Sequence, residues 1–220
     1  MPFPSLTRAS TIMRHNIRAK VSPERNTCIV FPSEELRDDW DHGEYHAGST
    51  EPWTIQAATA LMSANFSKTV LELGCYRGLT SEWFCHTLDA VGETVFHGVD
   101  LWEDVIEAAR TRLERCHFEN VAWTIYQGDS IAFLKQCEPE TYDFVWLDDD
   151  HDREHVSEEL YLLLNPLKPL MRPRGIICMH DVVGRFDLGP ICERFHGYVL
   201  NLPCIHAAGG IGIIQVADDE

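Results

Sequence analysis

The sequence predicts an α/β fold, a Rossmann-like three-layer sandwich around a mostly parallel seven-stranded sheet with an antiparallel hairpin at its C-terminal edge. Three observations predict it. From Pro52 onward, short apolar runs alternate with stretches of helical periodicity. The first run ends in a glycine turn, and the later ones end in acidic residues. Strict alternation implies a parallel sheet with helices on both faces. Right-handed crossovers then bring every trailing strand end to one edge, where open α/β sheets bind ligands.

Residues 1–50 are weakly periodic, with several prolines and a polar, His-containing tract from Asp38 to Ser49. They read as an irregular lead-in with one short helix near Thr11–Ala19, an arm or lid preceding a domain over 51–220. Glu51-Pro52-Trp53-Thr54 starts a helix, with proline near its first turn, and Ile55, Ala58, Leu61 and Met62 carry the spacing to Ala64. A strand over Thr69–Leu73 runs into Gly74-Cys75-Tyr76-Arg77-Gly78, and a helix follows from Thr80 or Ser81 with Trp83, Phe84 and Leu88 on one face. Strand Thr94–Val99 ends at Asp100 and precedes a helix over about Trp102–Cys116. Val121–Tyr126 leads to Gly128-Asp129-Ser130 and a short helix, and Tyr142–Leu147 leads to an acidic cluster and a helix over Arg153–Leu164. Gly175–Met179 ends in His180-Asp181; a helix near Pro190–Phe195 precedes two closing strands, Tyr198–Leu202 and Gly212–Val216. No helix separates those last two, which predicts the edge hairpin.

Charge narrows the partners. A net charge of -17 opposes nucleic acid, whose phosphates would be repelled over most of the surface. No apolar run approaches the ~20 residues needed to span a bilayer, and Met1 to Thr11 lacks the apolar stretch of a secretory signal. Arg8, Arg14, Arg18, Lys20 and Arg25 are opposed only by Glu24 before Ser33. That segment has the composition of an organelle transit peptide or of a mobile arm over the site, and the arm is the simpler reading. The eight cysteines contain no Cys-x-x-Cys pair, so they read as reduced thiols of a cytoplasmic protein.

The glycine turn comes next. Gly74 permits a tight turn, and Gly78 lets a ligand or a helix approach closely. The spacing is Gly-x-x-x-Gly and not the Gly-x-Gly-x-x-Gly of a pyrophosphate loop, which argues against NAD. Asp100 either accepts ribose hydroxyls or caps the next helix. Asp129 either caps a helix or accepts from an adenine edge. Together they place carboxylates around one glycine turn.

The order Glu72-x-Gly74-x-x-x-Gly78, Asp100, Gly128-Asp129-Ser130, Trp146-Leu147-Asp148 resembles the class I S-adenosylmethionine (SAM)-dependent methyltransferases over about Trp53 to Val216. The resemblance implies that Glu72 lies near the methionine amino group, that Asp100 takes the ribose and that Asp129 and Ser130 flank the adenine. It assigns Gly74, Tyr76, Gly78, Thr80, Ser81, Leu101 and Asp148 to the same pocket. A cationic sulfonium suits an acidic cleft. The runs Phe144-Val145-Trp146-Leu147-Asp148-Asp149-Asp150-His151 and Gly175-Ile176-Ile177-Cys178-Met179-His180-Asp181-Val182 are similar to methyltransferase family 24. That group contains small-molecule O-methyltransferases of the macrolide-sugar and aminocoumarin type. Here Asp149 replaces the glycine of the usual Asp-Gly-Asp-His, and the loop before the fifth strand is longer.

Asp148 and Asp181 fall at the ends of adjacent strands, about 5 Å apart laterally. Two such carboxylates repel unless a cation joins them. The resemblance implies magnesium held by Asp148, His180 and Asp181; ligation by His180 would turn the preference toward manganese, iron or zinc. His151 follows Asp148 by three residues and suits a general base that removes a hydroxyl proton during methyl transfer, with Asp148 beside it. Two histidines and one carboxylate would also suit oxygen-activating iron, but that leaves the cofactor pattern unexplained. A metal-independent N- or C-methyltransferase and a cofactor-binding protein without transfer activity stand as the alternatives. Substrate choice is assigned to the first fifty residues and the loop after Asp181, with Trp40, Tyr45, Trp53 and Phe186 as aromatic walls or core. The arm and the terminal hairpin are the surfaces on which a homo-oligomer would form.

Overall fold

The computed structural model describes residues 32–34, 36, 50–202 and 208–218, all within one compact unit, Phe31–Glu220. The helix expected near Thr11–Ala19, the basic segment, Trp40 and Tyr45 lie outside the described residues, as does most of the 1–50 arm.

The described elements run α1 (Pro52–Ala64), β1 (Thr69–Leu73), α2 (Leu79–Val91), β2 (Thr94–Asp100), α3 (Glu103–Cys116), β3 (Val121–Gln127), α4 (Ser130–Leu134), β4 (Tyr142–Leu147), α5 (Arg153–Leu163), β5 (Met171–Gly184), α6 (Gly189–Arg194), β6 (Tyr198–Leu200) and β7 (Ala208–Gln215). They form one seven-stranded sheet of order β3-β2-β1-β4-β5-β7-β6. The first five strands pair in parallel, while β7 pairs antiparallel with both β5 and β6. The expected Rossmann-like sandwich and edge hairpin are therefore present.

Strand periodicity explains the two faces. Val145 and Leu147 join Leu71, Leu73, Ile177 and Met179 in a core with Val156, Leu160 and Leu163 of α5. Phe144 and Trp146 point the other way and meet the edge of Phe84 on α2, with centroids 5.9 and 5.8 Å apart. All three rings are buried, each worth roughly 1.5–3 kcal/mol relative to exposure. These two cores pack the sheet on both faces and leave its trailing-edge loops to form the cleft.

Four strand ends differ from expectation. β5 covers fourteen residues: it opens at Met171, inside the expected loop and ahead of Gly175, by pairing with Tyr142, and it runs through His180 and Asp181, where the sequence pattern placed its end at Met179. β7 causes this: it continues to pair past Met179, with a register shift between His180 and Val183. β7 itself begins at Ala208, earlier than expected, for the same reason. β6 stops at Leu200.

The chain order reverses between β1 and β4, the switch point at which such sheets open a crevice. Gly74 sits there with φ +84°, and a Cβ on it would lie 2.3 Å from the Asp148 carbonyl oxygen. Only glycine lets the two loops come this close. Gly78, also at positive φ, instead faces a helix: a Cβ there would meet the Ala109 Cα at 2.9 Å. Of its two readings, the structure selects the packing of α2 against α3.

Candidate active site

A cleft of about 990 Å3 opens over the trailing ends of the strands. Gly74, Tyr76, Thr80, Asp100, Leu101, Asp129, Ser130 and Asp148 line it, as do His151, His180 and Asp181. Residues nominated from the ends of five separate strands thus share one cavity. Glu72, Gly78 and Ser81 are not on its wall. Glu72 has no exposed surface, and the Ser81 hydroxyl donates to one of its carboxylate oxygens in a short hydrogen bond. Its other oxygen has no hydrogen-bond partner among the described residues. Burial, opposed by the Ser81 bond and reinforced by Asp148 and Asp100, pushes this carboxyl well above its usual range.

Asp100 is not the cap of α3, whose N-cap is Trp102 without a side-chain cap; it braces the glycine turn instead. Its Oδ2 accepts from the Tyr76 amide at 2.8 Å and its Oδ1 from the Trp102 amide at 3.2 Å. The first bond crosses from β2 to the glycine turn. A carboxylate has about four acceptor positions, so ribose hydroxyls can still be received. Asp129 caps α4 through the Ala132 amide at 2.8 Å while its side chain stays at the cleft.

The acidic end is more elaborate than expected. The β4–β5 register pairs Leu147 with Met179, which sets His180, and not Asp181, directly beside Asp148. The His180 Nδ1–H donates to Asp148 Oδ1 at 2.8 Å. Thr50 Oγ1 donates to Asp148 Oδ2 at 2.7 Å and Trp146 Nε1 does so at 3.4 Å. The Trp146 ring also stacks on His180, with centroids 5.7 Å apart. Asp181 reaches the same cluster because it takes φ +53° at the β5 register shift, and irregularities of this kind re-aim side chains. His180 Nε2 lies 3.5 Å from Asp181 Oδ1 and 3.5 Å from Glu51 Oε2.

Burial pushes the His180 imidazole down, but Asp148, Glu51 and Asp181 outweigh it and raise it to about 10. Asp181 is pushed up by burial and by the nearby carboxylates, against the opposing charges of the two histidines. His151 stands at the mouth of this cluster, its Nε2 3.8 Å from Asp148 Oδ1 and 3.5 Å from Asp181 Oδ2. Its ring stacks on Phe186 at 4.2 Å between centroids, so Phe186 is a wall of the cleft.

The donor set suits a divalent ion. One atom each from Asp148, His180 and Asp181 lies within 4.8 Å of the others, and the buried His180 Nε2 has no hydrogen-bond partner among the described residues. An imidazole among carboxylates turns preference from magnesium toward manganese, iron or zinc. Thr50 and Glu51 were not nominated from sequence. Glu51 served only as a helix start, and nothing in its spacing ties it to residue 180; it arrives because α1 begins over the end of β5.

A glycine-turn cleft at the switch point of a β3-β2-β1-β4-β5-β7-β6 sheet defines the class I SAM-dependent methyltransferases. The model of methyltransferase family 24, described as a methyltransferase domain, matches residues 71–182, and the chain belongs to that family. Comparison with curated proteins returns no match. Solved structures with the same fold include an O-methyltransferase from Bacillus cereus in complex with SAH, at 16% identity over 96% of this chain and 100% of that one, TM-score 0.63. Another is TomG of Streptomyces achromogenes, an O-methyltransferase involved in tomaymycin synthesis and bound to SAM, at 15% identity over 98% and 100%, TM-score 0.62. A third is an SAH-bound methyltransferase from Podospora anserina, at 15% identity over 100% and 99%, TM-score 0.66.

Proposed function

We propose that this methyltransferase moves the SAM methyl group to a hydroxyl oxygen of a small molecule, with a divalent ion held by Asp148, His180 and Asp181 and with His151 as general base. One observation carries the reading: His151 Nε2 stands between Asp148 and Asp181, 3.8 and 3.5 Å away, at the cleft that bears the cofactor pattern. Its Nε2 is buried and has no hydrogen-bond partner among the described residues. A substrate hydroxyl entering there would donate to it.

In this reading Asp100 receives the ribose, Asp129 and Ser130 flank the adenine, and Glu72 acts on the methionine end from beneath the wall. The bound ion would lower the hydroxyl's pKa. His151 would take that proton as the oxygen attacks, while SAM, held by Asp100, Asp129 and Ser130, would supply the methyl group and leave as a neutral thioether. Phe186 stacking keeps the imidazole plane fixed during transfer, which is the alignment that direct displacement needs. Magnesium is the family's usual ion, but the imidazole makes manganese an equal candidate here. The acidic surface favours a small substrate over nucleic acid. Residues 51–220 form the catalytic domain, and substrate selection is assigned to the segment before it and to the loop after Asp181.

The test is SAH release from SAM against a panel of hydroxylated small molecules. Chelation should abolish turnover and added magnesium or manganese should restore it. His151→Ala should lower kcat by roughly 10²–10⁴ with unchanged cofactor affinity. Turnover indifferent to chelation, or methylation of nitrogen or carbon acceptors alone, contradicts the proposal.

A further inference from the structure

On the adenine side of the same cleft, four side chains converge that the proposed reaction does not use as a group. Asp149 follows β4, Ser130 opens α4, and His155 and Glu159 sit one turn apart on α5. His155 Nε2 has three oxygen neighbours: Ser130 Oγ at 3.0 Å, Asp149 Oδ2 at 3.4 Å and Glu159 Oε1 at 3.4 Å. An imidazole nitrogen offers one hydrogen or one lone pair, so it satisfies only one of them.

Glu159 makes the problem acute. Its side chain has no exposed surface, and neither carboxylate oxygen has a hydrogen-bond partner among the described residues. Its nearest opposing group is the His155 imidazole, 3.4 Å away and shared with Asp149, so an ionised carboxylate buried there still costs several kcal/mol. A cation among these atoms would resolve the cost. The spacing fits one: ligands about 2.0–2.1 Å from a tetrahedral centre stand roughly 3.4 Å apart. One atom each of Asp149, His155 and Glu159 lies within 4.8 Å of the others.

We propose that Asp149, His155 and Glu159 form a second metal site, for a zinc-class divalent ion, with Ser130 Oγ beside the fourth position. One imidazole with two carboxylates is a zinc or manganese donor set and not a magnesium cage. An ion here ties the end of β4, the start of α4 and α5 into one wall of the cofactor cleft. Asp149 is the carboxylate that stands where the family pattern has glycine, so the site belongs to this chain's own sequence. Without an ion the cluster retains protons instead: Asp149 and Glu159 raise His155 to about 10, and burial pushes the Glu159 carboxyl up.

The whole chain, stripped by chelation and reloaded with cobalt(II) as a zinc probe, tests this. Bound cobalt per chain should fall by one equivalent on Glu159→Gln, both in the wild type and in an Asp181→Asn background, with loss of tetrahedral visible bands that zinc also displaces. Circular dichroism checks the fold of each variant, and His155→Ala should give the same loss. An unchanged cobalt stoichiometry in the folded Glu159→Gln protein overturns the proposal and leaves a proton-held cluster.

Discussion

His180 and Asp148 are joined by a 2.8 Å hydrogen bond from the imidazole Nδ1–H to the carboxylate, and this bond sets which ring nitrogen faces the cleft. Nε2 is left toward Asp181 and Glu51. Asp148 is in turn held by Thr50. Partners of this outer kind typically matter 10–100-fold for metal affinity or activity. Thr50→Val should therefore weaken manganese binding, measured by calorimetry, roughly 10–100-fold, while SAM affinity stays unchanged.

Asp100 and Asp181 should separate cofactor binding from chemistry. Asp100→Ala removes charge-assisted hydrogen bonds of about 1.5–3 kcal/mol, equal to a roughly ten- to hundredfold loss of SAM affinity. Asp181→Ala should spare that affinity and abolish turnover. Titration calorimetry beside an SAH-release assay checks both.

Glu72 is held as a buried carboxyl with its ordinary pKa pushed up by burial. A neutral acid is closely imitated by an amide. Glu72→Gln should keep the unfolding midpoint in urea near that of the wild type, whereas Glu72→Ala should cost about 2–4 kcal/mol through cavity and lost hydrogen bonding. A Gln variant as unstable as the Ala variant would show that the group is ionised.

Glu82 supplies an acid limb to stability. Burial pushes its carboxyl up, but hydrogen bonds from His86, Arg112 and Ser33 outweigh this and hold it below the usual range. Arg112 Nη1 donates to it at 2.9 Å. A depressed carboxyl gives stability that is present above about pH 4.5 and is lost as pH falls through its folded value. Arg112→Ala should cost about 3–5 kcal/mol at neutral pH and flatten the loss of stability below pH 4.5, read from melting curves across pH.

The sequence disclosed the fold because the first four strands carry their own turn signals: Leu73 before Gly74, Val99 before Asp100, Tyr126 before Gly128 and Leu147 before Asp148. Those signals are local, and so is the placing of acids at one edge. What depends on distant pairing was hidden. Nothing between Gly175 and Asp181 announces that β7 will carry β5 on to Gly184, so His180 and Asp181 read as loop residues. Glu51 and Thr50 were equally opaque, since a helix start says nothing about what lies above it. Gly78 shows the converse: the sequence leaves ligand approach and helix packing open there, and only the fold reveals that a side chain would meet the Ala109 Cα at 2.9 Å.

The proposed function requires one cleft, built by the strand ends, that holds a sulfonium nucleoside with an ion beside its reactive end. Crystals grown with SAM and manganese, measured for anomalous scattering, test it most directly. Ribose density on Asp100, adenine beside Asp129 and Ser130, and an anomalous peak among Asp148, His180 and Asp181 next to the sulfonium are the expected result. A cofactor bound elsewhere, or a soaked cleft whose acidic end gathers no manganese, would contradict it.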